Sequence, residues 1–163
     1  MFTKRRTLAR LGTALTASAA LLGAALVSAT PAQAATSCSA EQHKEMDTPG
    51  ANVDVYIKLC FRSHYNDAMA YVRWADAGGY EFDNFDLHLR LERNDAVVGM
   101  DSFDLTDEIN NWGASDSIEL YGAPTSVTSG SGWSADGYVK YNIDGDGKGD
   151  FTWSLTGSPE ISS

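Results

Sequence analysis

Positive charge is scarce in this chain. Lysine and arginine number 12 against 22 aspartates and glutamates, and Lys4, Arg5, Arg6 and Arg10 crowd into the first ten residues. With residues 1–34 set aside, 12 − 4 = 8 bases face 22 acids, a net charge of −14. So acidic a surface repels nucleic acid and anionic lipid and favours cations or a basic partner. Histidine is scarcer still. His43, His64 and His88 are scattered, with no HExxH pair for a hydrolytic metal and no GxSxG nucleophile turn. No glycine-rich loop leads into a helix, which removes phosphate-cradle chemistry. Cys38 and Cys60 are the two cysteines, too few for a four-thiolate zinc site. Long apolar runs are missing beyond Val27, so nothing downstream of the leader suits a membrane span.

The one apolar stretch, Leu11 to Val27, follows the basic cluster and precedes Ala32-Gln33-Ala34, a small-x-small cleavage pattern. This is the layout of a signal peptide over residues 1–34. The expected product is a secreted, extracellular chain of 163 − 34 = 129 residues, enough for one domain. In an oxidising compartment Cys38 and Cys60 are expected to form a disulfide. Closing a loop of about 20 residues stabilises by about 3 kcal/mol in the chain-entropy view.

What is present is alternation. Residues 35–52 are polar and read as a flexible N-terminal arm. From Val53 onward Val53, Val55, Ile57, Leu59 and Phe61 share one face, and Phe85, Leu87, Leu89 and Leu91 share another. Period two over such lengths is a half-buried strand. Asn94-Asp95 supplies a hairpin turn. Thr106 is placed as the N-cap of one short helical turn, with Asp107 and Glu108 near its positive end. About seven short strands over residues 53–163 give an all-β antiparallel sandwich, with a small open β-barrel as the alternative.

The stretch YNIDGDGKGDF carries the strongest chemical signal. Asn142, Asp144, Asp146, Lys148 and Asp150 recur every second residue around Gly147, the spacing with which a tight loop offers oxygens to calcium. Lys148 is tolerated because its position would use a backbone carbonyl. Trp153 stands where an EF-hand needs its bidentate glutamate, so the loop is closer to the DxDGDGxxD loops of integrin-type repeats. The competing reading is a bare glycine-rich hairpin. A calcium ion here would be structural, clamping the last hairpin.

Aromatic residues offer a second candidate. Trp74, Trp112, Trp133 and Trp153 with Tyr65, Tyr71, Tyr80, Tyr121 and Tyr138 could build a sugar-stacking platform. Trp112 and Trp133, near loops, are the expected ligand-binding residues, whereas Trp74 and Trp153 are expected in the core. Glu81, Asp83 and Asp86 form the densest carboxylate group for a glycosidase, but 22 acids make some cluster inevitable. No catalytic residue is assigned.

The segments FDNFDLHLRLERNDAVVG, FDLTDEINNW and DGKGDFTWSLTGSPEI resemble small secreted β-domain proteins of filamentous actinobacteria. The resemblance implies export and a compact β-fold. That group carries no assigned activity, so it transfers no site residue. The expectation is a non-catalytic interaction module, one component of an extracellular protein assembly. A calcium-stabilised carbohydrate-binding module that takes polysaccharide and a carboxylate-dependent hydrolase are the alternatives.

Overall fold

The structure, a computed structural model, describes residues 35–77, 81–111, 113–126 and 130–161. The expected signal peptide, Trp112 and Tyr80 lie outside the described residues. Among the described residues no helix is long and apolar enough to cross a membrane.

Alternation builds two antiparallel sheets. The first holds β3 (Val53–Arg62), β4 (Asp67–Ala75) and β7 (Asp116–Gly122), with β1 (Thr36–Cys38) and β2 (Gln42–Met46) both pairing with the free side of β3. The second runs in the order β6 (Ala96–Asp104), β5 (Phe82–Arg93), β8 (Trp133–Ile143) and β9 (Phe151–Ser154). The sheets stack as a β-sandwich and neither closes into a barrel. Val55, Ile57 and Leu59 of one sheet meet Leu87, Leu89 and Leu91 of the other, all fully buried. Each such side chain contributes on the order of 1.5–3 kcal/mol.

The strand count corrects one expectation. Residues 36–46 are not a loose arm but an interrupted edge strand. β2 pairs with β3 from Gln42↔Ile57 to Met46↔Val53, and β1 from Thr36↔Arg62 to Cys38↔Cys60. The break between them is bridged by Ser39, whose N–H donates to the Leu59 carbonyl at 2.8 Å while its hydroxyl accepts the Leu59 N–H at 3.1 Å. The Cys38–Cys60 disulfide is formed.

The sandwich is stitched along both sides. On one, Asp101 of β6 points inward and accepts the Ala123 N–H at 2.6 Å. Gly122 permits that approach, since a Cβ there would stand 2.7 Å from the Asp101 carboxylate. On the other, the Gln42 amide donates to the Thr156 carbonyl at 2.8 Å and accepts its N–H at 2.5 Å, copying a strand pair with a side chain. The Ser37 hydroxyl adds a bond to the Pro159 carbonyl at 2.6 Å.

Among the described residues one helix, α1 (Thr106–Asn111), caps an open end of the core with Leu105 and Ile109. Its N-terminus differs from the expectation. The Leu105 carbonyl accepts the first helical bond, from Ile109, so Leu105 occupies the cap position. Asp104 supplies the side-chain acceptor, taking the Thr106 N–H at 3.0 Å, while the Thr106 hydroxyl accepts the Phe85 N–H. Buried Asn110 uses both ends of its amide, accepting from Glu81 and Phe82 and donating to the Phe82 carbonyl.

Candidate interaction face

The outward face of the first sheet follows from the residues that alternate with its core positions. β3 sends out Tyr56, Lys58 and Arg62, β4 sends out Arg73, Tyr71 and Asp67, and β7 sends out Ser117, Glu119 and Tyr121. Register places them in rows. Tyr56 lies opposite His43 on one side and Arg73 on the other. The imidazole stacks on the phenol ring at 4.4 Å, and the guanidinium sits 3.4 Å from the ring centroid. Glu41 closes that layer with two bonds to Arg73, at 3.1 and 2.6 Å. In the next row Lys58 stands 4.6 Å over Tyr71.

Farther along, Arg62 is held between two rings, 4.3 Å from Tyr65 and 4.4 Å from Tyr121, and is gripped by Asp67 at 2.8 and 2.5 Å. The Tyr121 hydroxyl donates to Glu119. Hydrogen bonds donated to Asp67 and Glu41 raise the pKa of Arg62 and Arg73 above the usual guanidinium value, and Arg73 lowers that of Glu41. Between the rows lies a depression of about 280 Å³ lined by Glu41, Lys58, Tyr71, Arg73, Ser117 and Glu119. The rings lie against their cations and are still open to solvent. Tyr65 is 62% exposed, Tyr121 49% and Tyr71 36%. Phenols and guanidiniums pre-set in this way are the side chains that dominate protein interfaces.

The residues singled out from the sequence fare differently. Trp133 is not a ligand platform. It opens β8, is 4% exposed, and lies between Phe61 at 5.8 Å and the Arg93 guanidinium at 5.3 Å, leaving no free ring face. Trp74 is buried as expected, and Trp153 packs against the core.

The acidic loop joins β8 to β9. Among the described residues no three His, Cys, Asp or Glu side chains stand close enough together to hold a metal ion, so Asp144, Asp146 and Asp150 do not converge. Asn142 stays within β8, and Asp150 and Lys148 are exposed. Asp146 instead folds back, its Oδ1 accepting the Lys148 N–H at 2.7 Å, an Asx-type turn. Its Oδ2 is buried without a hydrogen bond, and the Lys148 ammonium stands 3.9 Å away.

Of the carboxylate group, Glu81 is buried, Asp83 is exposed, and Asp86 accepts from the Asn84 amide at 3.2 Å. On the second sheet's outer face the Ser102 hydroxyl meets His88 Nδ1 at 2.7 Å, and the imidazole stacks on Tyr138 at 4.5 Å. Burial lowers the His88 pKa, which favours the neutral ring. This pair stands on an open sheet, with no hydrogen-bonded carboxylate on the other nitrogen among the described residues.

No protein-family model, no curated protein and no solved structure matches this chain.

Proposed function

We propose that the chain is a secreted, non-catalytic interaction module that docks an extracellular protein partner on the outer face of its first sheet. The observation that carries this reading is the Tyr65–Arg62–Tyr121 stack beside Tyr71 and Lys58, three solvent-exposed phenols each contacted by a cation. Docking onto side chains already fixed costs little conformational entropy. The disulfide and the lack of a membrane-spanning helix among the described residues are compatible with export. A polysaccharide platform is the weaker reading, because it needs free ring faces. Tyr56 has both faces taken, and Tyr71 and Tyr121 each have one covered by a cation.

Capture from culture medium with residues 35–163, compared with the Tyr71→Ala, Tyr121→Ala double variant, tests the proposal. A stoichiometric protein partner held by the parent should bind the variant about tenfold more weakly or worse, a loss of at least about 1.4 kcal/mol. Thermal stability should change little, because both rings stand outside the core. Equal capture by both forms would remove this face from the function. Retention on insoluble polysaccharide, lost in the same variant, would instead favour the carbohydrate module.

A further inference from the structure

Six large hydrophobic side chains are exposed among the described residues. Three are tyrosines, Tyr71 and Tyr121 on the first sheet and Tyr65 in the turn between β3 and β4, and the other three, Val97, Val98 and Met100, all lie on β6. β6 is the outermost strand of its sheet and pairs with β5 alone, from Asp86↔Asp104 to Arg93↔Ala96. Among the described residues its main chain makes no backbone hydrogen bond beyond that pairing. Seven of its nine residues are exposed. An edge strand of this length with unpaired N–H and C=O groups is a template for another strand.

The edges of the first sheet are not equivalent to it. β1 and β2 are polar and tied to the C-terminal tail through Gln42 and Ser37. The described part of β7 shows outward Ser117 and Glu119 rather than a run of exposed aliphatic side chains.

Charge selects the occupant. From Asn94 to Asn111 the sequence holds Asp95, Asp101, Asp104, Asp107 and Glu108 and no lysine or arginine. Asp95 at the hairpin tip and Asp104, Asp107 and Glu108 at the start of α1 flank the apolar middle of the strand, while Asp101 turns inward and Arg90 and Arg93 stand opposite on β5. A second copy would bring the same carboxylates to the same line, so self-pairing is disfavoured. Two features guard the edge against indiscriminate pairing, with a second copy included. The pairing shifts at Leu91/Glu92, leaving Val98 as an extra residue, and Asp101 turns inward to Ala123.

We infer that β6 accepts an extended segment of another protein, apolar at alternate positions and carrying basic residues at its ends, which adds a strand to the second sheet. This surface is independent of the tyrosine face, so the module has two docking sites rather than one.

The probe is a labelled synthetic peptide with a valine–threonine alternation between lysine pairs, compared with the same peptide between glutamate pairs. Fluorescence anisotropy and amide hydrogen exchange are read on residues 35–163. The lysine-flanked peptide should bind and slow exchange within Ala96–Asp104. Its affinity should fall about tenfold between about 50 and about 500 mM salt, while the glutamate-flanked peptide should not bind. Met100→Lys, at a position 55% exposed, should abolish binding without altering the melting temperature, and Tyr71→Ala should leave it intact. Equal binding of the two peptides, protection confined to β7 or β9, or binding of neither peptide would overturn the proposal. So would a dimer of the protein alone that Met100→Lys dissolves.

Discussion

At the foot of α1, Asp104 holds the first helical N–H, and its hydrogen bonds to Thr106 lower its pKa below the usual aspartate value. An unfolded aspartate titrates near pH 3.9. The folded value lies lower, so the contribution is fully present above about pH 5 and is lost as pH falls through the folded value. Water screens this exposed carboxylate, which keeps the effect small. Asp104→Ala should cost about 0.5 kcal/mol in urea unfolding at pH 7, and the gap to the parent should narrow below about pH 3. A gap that widens in acid would assign the bond to another group. Asp104 and Trp133 also mark where residue-level reading fails. The cap was placed on Thr106 because threonine is the usual capping type, yet its hydroxyl is committed to Phe85, a partner 21 residues away. Trp133 looked loop-borne because serines and glycines surround it. Gly137 is in fact a strand residue, where a Cβ would lie 2.6 Å from the His88 carbonyl.

At the scale of elements, the long strands were legible and the edges were not. β3 and β5 announce themselves because alternating apolar residues face a core. β2 contributes one buried apolar side chain, Met46, and is held by its backbone and by Gln42, neither of which leaves a hydrophobic period. The β8–β9 loop shows a spacing that two structures share. Its spacing suggests a calcium cage, but that spacing also serves a turn in which Gly145, Gly147 and Gly149 all take positive φ and Asp146 bonds to the Lys148 N–H. The expected outcome is one melting temperature in chelator and in excess calcium, read by circular dichroism. A calcium-dependent rise abolished by Asp146→Ala would reinstate the cage around its buried oxygen.

For the whole molecule, the sequence pattern sufficed for two stacked antiparallel sheets because burial of alternate residues is a local signal. The stitches between the sheets were invisible, since Asp101 and Gln42 look like ordinary surface residues until the fold brings Ala123 and Thr156 beside them. The disulfide belongs at this scale as well. It spans 22 residues and fixes the interrupted edge strand to β3. Replacing both Cys38 and Cys60 by serine should lower stability by about 3 kcal/mol, a fall of about 10 °C in Tm. A loss under about 1 kcal/mol would mean that strand pairing with β3 and the Gln42 and Ser39 bonds hold that edge without the crosslink.

Gln42 reaches Thr156 across 114 positions of sequence. Pairing with β3 and the disulfide can hold the opening strand early, but its tie to the segment after β9 must wait until Thr156 is available. Until then one flank of the sandwich stays unlatched, and a fragment stopped before Thr156 would carry that gap permanently.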